Sequence, residues 1–168
     1  MIRNYYLAFA LGVKAAELAH GVTKKGREME LADALDFVRV RKNAVLTTIR
    51  ANGRPQLSNI LYVHDDDDVL RISVTDSRAK TVNMRRDPRV SIYVPGDNFY
   101  QYVVIEGTAA LTPVAADPHD DTVEQLIAYY RAGNGEHPDW DDYRATMVAD
   151  GRLIAAVHPE RAYGMVMS

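Results

Sequence analysis

The stretch AVLTTIRANGRPQLSNILYVH, from Ala44 to His64, has the pattern of two β-strands joined by a tight turn. Apolar and β-branched residues fill Ala44–Arg50, and a second extended segment runs from about Pro55 to His64. Asn52-Gly53 lies between them, and both residue types tolerate the positive φ of a two-residue hairpin turn. The stretch therefore predicts an antiparallel β-hairpin.

Further strand patterns follow the hairpin. An acidic turn, Asp65–Asp68, separates it from the next strand, and Glu106-Gly107 predicts a bulge or bend in a later one. About six strands joined mainly through hairpins, with a glycine bend, fit a small antiparallel barrel that leaves few open sheet edges. The remaining predicted strands are Val69–Thr75, Arg89–Val94, Tyr100–Leu111 and Arg152–Val157, the last with a continuation to Tyr163 left open.

Helical patterns are few. Glu28–Arg39 has apolar residues at helical spacing, and Asp120–Ala132 and Asp139–Val148 each begin with an aspartate suited to a helix N-terminus. We divide the chain into residues 1–28, an apolar helix with a basic linker, and residues 29–168, a single barrel domain. Residues 5–19 are too short and too interrupted by charge to span a bilayer, so packing on the domain or a partner is favoured over a membrane surface.

Composition narrows the function classes. The chain has 168 residues, a formal net charge of −3 and no cysteine, which disfavours general nucleic-acid binding and excludes thiol chemistry and disulfides. No pair of its five histidines has the spacing of metal ligands on a helix, so no metal site is predicted. The absence of cysteine fits a cytoplasmic protein.

A basic connection, Ser77–Arg89, joins two of the predicted strands and carries five cationic side chains. Arg78 and Lys80 stand at its entrance, where a helix would begin and its free N–H groups and dipole would favour an anion. The connection is a candidate site for a phosphate-bearing cofactor. A solvated basic helix is the alternative.

Three motifs together carry a family resemblance: Gly53–Asn59, Arg78–Thr81 with Arg85–Arg89, and Ile105–Ala109. Over about residues 30 to 165 the chain resembles the split β-barrel flavin/deazaflavin oxidoreductases, the superfamily of pyridoxamine 5′-phosphate oxidase. Within it, the chain is most similar to the actinobacterial group B enzymes that use coenzyme F420. The resemblance implies a mainly β, FMN-binding-like split barrel with flanking helices, in a homodimer with cofactor sites at the interface.

The resemblance also implies a set of cofactor contacts. Arg78 and Lys80, with the adjoining backbone of Ala79 and Thr81, would hold the phosphate and acidic tail. Ser58 and Asn59 could instead be outward residues of a hairpin strand, and Tyr100 and Tyr102 could be dimer-interface anchors. The residues implied beside the deazaflavin are Gln56, Leu57, Ser58, Asn59, Ile60, Ser73 and Val74, with Tyr100, Gln101 and Tyr102 approaching from the partner chain.

The implied reaction is hydride transfer from reduced F420 to a conjugated small-molecule acceptor such as an enone or quinone. No catalytic residue is assigned, since Tyr100, Tyr102 or water could supply the proton. Three alternatives stay open: an FMN-dependent oxidase of the pyridoxamine phosphate type, a non-catalytic F420 carrier, and a haem-binding relative. His64, His119 and His158 are expected to be surface or capping residues, and neither His64 nor His158 is favoured as the axial ligand that a haem would need.

Overall fold

The computed structural model describes residues 28–166. The predicted N-terminal helix and basic linker therefore lie outside the described residues, apart from Glu28. The strands are β1 (Glu28–Met29), β2 (Asn43–Ile49), β3 (Pro55–Leu61), β4 (Val63–His64), β5 (Leu70–Thr75), β6 (Arg89–Pro95), β7 (Tyr102–Leu111) and β8 (Arg152–Met165). The helices are α1 (Leu31–Arg39), α2 (Ala79–Arg86), α3 (Asp121–Asn134) and α4 (Trp140–Ala149). None of these helices is long and apolar enough to cross a membrane.

The strands form one antiparallel sheet in the order β3-β2-β6-β7-β8-β5-β4, with β1 paired to β8. The two ends of this order, β3 and β4, are successive parts of one segment that is interrupted at Tyr62. Tyr62 is buried and its hydroxyl donates to the carbonyl oxygen of Val38 at 2.6 Å. Because one segment supplies both ends, the sheet curls into a split barrel, which confirms the predicted fold class.

The hairpin that opens the sheet forms as predicted. Val45 pairs with Asn59, and the N–H of Arg50 donates to the carbonyl oxygen of Arg54. Gly53 has a φ of 78°, the left-handed conformation for which glycine is suited. The predicted irregularity at Glu106-Gly107 is also confirmed, because the register between β7 and β8 shifts there.

Two apolar clusters hold the fold together. Inward residues of the sheet and α1 form the larger cluster, which includes Leu46, Ile92, Ile105 and Leu153, all fully buried. The smaller cluster lies under α3 and α4 and uses the opposite face of β8, at Ile154. The two helices inserted between β7 and β8 therefore cover the outside of the barrel beside β5.

Several predictions of local structure were wrong. The helix predicted from Glu28 begins at Leu31, because Glu28 and Met29 pair with Tyr163 and Ala162 of β8. There are eight strands within residues 28–166 in place of about six.

Tyr100 and His64 also differ from expectation. Tyr100 does not share a strand with Tyr102, because it lies in a turn where the Asn98 side-chain oxygen accepts from its backbone N–H at 3.0 Å. His64, expected at the surface or in a cap, has a fully buried side chain. Burial at a sheet end depends on the packing of α1 and α3 over β4, which no local pattern reveals.

Candidate cofactor site

A cleft of about 450 Å³ lies between the inner face of β3, the end of β5 and the start of α2. Strand alternation directs Gln56 and Ser58 toward the inner face, since they pair with the inward residues Thr48 and Leu46. Its lining residues are Gln56, Ser58, Ser73, Val74, Thr75, Arg78, Ala79, Lys80 and Arg152. We call this space the cofactor cleft.

Three cations line the cofactor cleft with little compensating negative charge. Arg78 is the N-cap residue of α2 and Lys80 lies in its first turn; neither forms an ion pair with a carboxylate among residues 28–166. Burial lowers the pKa of Lys80, and the charges of Arg78 and Arg152 lower it further. The cleft therefore carries an unbalanced positive potential that favours an anion, and an anion bound there would restore the pKa of Lys80 upward.

A buried chain of amides and hydroxyls supports the cleft from behind. Asn83 of α2 is buried, and its amide nitrogen donates to Thr48 Oγ1 at 3.0 Å and to Gln56 Oε1 at 3.3 Å. The Gln56 amide nitrogen in turn donates to Ser58 Oγ at 2.8 Å. These contacts fasten α2 to the β2–β3 hairpin and hold the two polar side chains that face the cleft. Since Ser58 Oγ accepts from Gln56, its own hydroxyl hydrogen is available to a ligand.

The start of α2 is fixed to β5 by a second buried contact. Thr81 is fully buried, and its hydroxyl donates to the carbonyl oxygen of Thr75 at 2.8 Å. This contact places the first backbone N–H groups of α2, which lack partners within the helix, at the mouth of the cleft. Arg152 enters from β8 because it pairs directly with Thr75.

Comparison with known proteins identifies the family. A family model described as pyridoxamine 5′-phosphate oxidase matches residues 32–165. The chain belongs to this family. The match spans every strand from β2 to β8, and so covers all residues of the cofactor cleft.

Several proteins of solved structure share this fold, and their descriptions name different cofactors or none. An F420 reductase is 25% identical over 76% of this chain and 93% of its own, with a TM-score of 0.58. A conserved hypothetical protein from Mycobacterium tuberculosis is 24% identical over 83% of this chain and 91% of its own, with a TM-score of 0.62. A pyridoxamine 5′-phosphate oxidase-related, FMN binding protein from Nostoc punctiforme is 18% identical over 79% of this chain and 80% of its own, with a TM-score of 0.54.

The structure gathers half of the residues that the family resemblance pointed to. The predicted residues that line the cofactor cleft are Gln56, Ser58, Ser73, Val74, Arg78, Ala79 and Lys80. Ile60 and Thr81 are buried, and Leu57 points outward with 63% of its surface exposed. Asn59 shares that outward face, because it lies two residues after Leu57 on the same strand.

The three predicted partner-chain residues lie away from the cofactor cleft of their own chain. Tyr100 and Gln101 belong to the turn before β7, and Tyr102 begins that strand. The Tyr102 ring stacks on Tyr93 of β6, with 5.5 Å between the ring centroids. Both rings lie on the side of the sheet that faces away from the barrel interior, together with Leu57, Leu61 and Met165, whose side chains are exposed. We call this set of five residues the outer sheet face.

Sequence reasoning missed Thr75 and Arg152, which both line the cleft. Arg152 opens the last strand 63 positions after Arg89, the end of the basic connection, so no local motif links the two. The signal that could have found it is the antiparallel pairing of the last strand with β5, which places its first residue beside the end of β5.

Proposed function

We propose that this protein is an F420-dependent oxidoreductase that transfers a hydride from reduced F420 to a conjugated small-molecule acceptor. The observation that carries the proposal is the cofactor cleft, in which Arg78 and Lys80, at the start of α2, have no carboxylate partner within residues 28–166. The similarity to an F420 reductase supports the same choice of cofactor.

The residues of the cofactor cleft fit a phosphate-bearing deazaflavin. Arg78 can hold a phosphate by two parallel hydrogen bonds, and Lys80 adds a point charge beside it. Gln56 and Ser58 offer hydrogen-bonding groups along β3 that would orient the ring system.

The chemistry would reside mainly in the cofactor. Reduced F420, held by these residues, would supply the two electrons and the hydride that reduce the acceptor. The chain's own residues bind the phosphate, orient the ring and limit the access of water. The proton comes from water, or from Tyr100 or Tyr102 of a second copy.

We further propose that the working unit is a homodimer with the cofactor clefts at its interface. The outer sheet face exposes Leu57, Leu61 and Met165 beside the stacked Tyr93 and Tyr102. Exposed apolar and aromatic groups grouped on one face are typical of a protein–protein interface. A second copy on this face would cover the outer side of the hairpin that carries Gln56 and Ser58.

A parallel titration of the purified full-length chain with F420 and with FMN, followed by cofactor fluorescence, tests the choice of cofactor. We expect F420 to bind more tightly than FMN. We also expect Arg78→Ala or Lys80→Ala to weaken F420 binding about tenfold or more, because charge-assisted hydrogen bonds to phosphate would be lost. Arg54→Ala, in the exposed hairpin turn, is the matched control and should leave the affinity unchanged.

The alternatives give different results in the same experiment. Tighter binding of FMN would assign the chain to the flavin branch, the second candidate, which the FMN binding relative supports. Tight F420 binding without oxidation of reduced F420 in the presence of enones or quinones would indicate a carrier. Binding of neither cofactor would overturn the proposal.

A further inference from the structure

A second space, of about 340 Å³, lies behind the cofactor cleft, between α3, α4 and strands β3 and β5. It shares Ser73, Lys80 and Arg152 with the cofactor cleft, so the two spaces meet at those side chains. We call it the rear chamber. Its size is within the range of pockets that take small organic ligands.

Three of the twelve residues that line the rear chamber are tyrosines, beside polar residues such as Asn59 and Asn134. Tyr129, Tyr130 and Tyr143 line it, and Met147 adds a polarisable apolar surface. The Tyr129 hydroxyl donates to the carbonyl oxygen of Leu61 and the Tyr143 hydroxyl to that of Leu126, each at 3.1 Å. Because these hydroxyls are already hydrogen-bonded, the two residues offer a ligand mainly ring surface.

The aromatic walls are also preorganised. The Tyr130 and Tyr143 rings pack edge to face with 5.1 Å between centroids, and Trp140 packs against both. A rigid aromatic wall loses little conformational entropy when a ligand binds, and ring surfaces attract other flat π-systems. The geometry favours a planar, conjugated ligand over a flexible polar one.

One end of the rear chamber is cationic. The Nε of Arg152 is buried and has no hydrogen-bond partner among the described residues, and its nearest carboxylate oxygen, on Asp150, is 3.8 Å away. Lys80 lies at the same end and forms no ion pair within residues 28–166. A buried donor without a partner is costly, and an anionic ligand group would satisfy it.

We propose that the rear chamber binds a flat, conjugated small molecule that carries one carboxylate, with the carboxylate at Arg152 and Lys80 and the ring system between the tyrosines. This molecule is the acceptor of the hydride; that role, unlike the binding itself, rests on the proposed function. Arg152 is then the residue that selects acidic acceptors over neutral ones.

Calorimetric titration of the full-length chain with naphthoate, and with naphthylmethanol as its neutral match, tests the ligand class without any cofactor. We expect naphthoate to bind about tenfold or more tightly, since one charge-assisted hydrogen bond distinguishes the two compounds. Arg152→Gln should abolish this preference and Arg152→Lys should retain part of it. Tyr130→Leu should weaken the binding of both compounds.

Arg161→Gln, on the exposed part of the same strand, is the matched control and should behave as the unaltered chain. Equal affinity for the two compounds, or a preference that survives Arg152→Gln, would overturn the inference. So would an Arg152→Gln variant that keeps naphthoate binding and loses F420 affinity, since Arg152 would then serve the cofactor. Naphthoate binding in a chain that binds neither F420 nor FMN would support the ligand class and overturn the acceptor role.

Discussion

His64 is buried beside the acidic turn, and neither of its ring nitrogens has a hydrogen-bond partner among the described residues. Its Nε2 lies 3.4 Å from a carboxylate oxygen of Asp68. Burial lowers the pKa of His64, the charge of Arg39 lowers it further, and the carboxylates of Asp68 and Asp65 oppose the shift. The folded protein therefore favours neutral His64.

This shift predicts a pH dependence of stability. The unfolded chain binds a proton at His64 more readily than the folded one, so the free energy of unfolding should fall as the pH drops below about 6.5 and level off below the folded pKa. Urea unfolding between about pH 7 and pH 5 should show this decline, and His64→Leu should flatten it. The exposed His119, changed to Gln, is the control; a decline that persists in His64→Leu would contradict the assignment.

Helix α2 illustrates how one element serves both the core and the cleft. Its exposed residues include Arg85, Arg86 and Val82, whereas Thr81, Asn83 and Met84 are buried, and the helix packs on β2. The basic composition suggests a solvated surface, but the two buried polar residues bond to other elements. A helix of this kind is held by specific hydrogen bonds more than by apolar burial.

We expect Asn83→Ala to destabilise the protein by about 1–3 kcal/mol, because Thr48 and Gln56 would lose a buried hydrogen-bond partner. The same change should weaken cofactor binding through the loss of Gln56 orientation. Urea unfolding and the F420 titration measure the two effects. Val82→Ala, at an exposed position of the same helix, should leave both nearly unchanged; an Asn83 variant that behaves like it would contradict the structural role.

Helix α3 depends on its cap. The Asp120 carboxylate accepts from the backbone N–H groups of Val123 and Ala116, each at 2.8 Å, and of Asp117 at 3.1 Å. Asp120→Ala should therefore cost about 1–2 kcal/mol in the free energy of unfolding, measured by thermal or urea denaturation. Asp121→Ala, in the exposed first turn, should lower the free energy of unfolding by less than Asp120→Ala does. Equal losses of stability in the two variants would show that negative charge near the helix end matters more than the capping hydrogen bonds.

At the scale of the whole molecule, the outer sheet face is the surface on which we place the interface of the proposed homodimer. If it is the interface of a homodimer, Leu57→Lys should convert the protein to a monomer without unfolding it, because Leu57 is 63% exposed in the single chain. Light scattering with size-exclusion chromatography gives the mass, and circular dichroism confirms folding. Val40→Lys, at another exposed apolar site, is the control; a dimer that survives Leu57→Lys would place the interface elsewhere.

Local patterns predicted most strands, the Asn52-Gly53 turn, the bulge at Gly107 and the two aspartate caps, because each depends on residues close in sequence. They failed where partners distant in sequence decide the structure. Glu28 and Met29 are held extended by β8, and His64 is buried beneath other elements. Half of the residues predicted to contact the cofactor line the cleft, because β3, β5 and the basic connection carry them, whereas Arg152 required the strand pairing of the complete sheet.

Strand β8 lies between β7 and β5 in the sheet and also pairs with β1. Among the strands of residues 28–166, β8 is the last and β1, which starts at Glu28 and pairs with it, is the first. During synthesis, the edges of β5 and β7 that pair with β8 in the folded sheet stay unpaired until residue 165 has left the ribosome. Exposed strand edges of this kind can pair with other chains. The sheet therefore closes only after β8 has been made, and the nascent chain exposes the two unpaired strand edges until then.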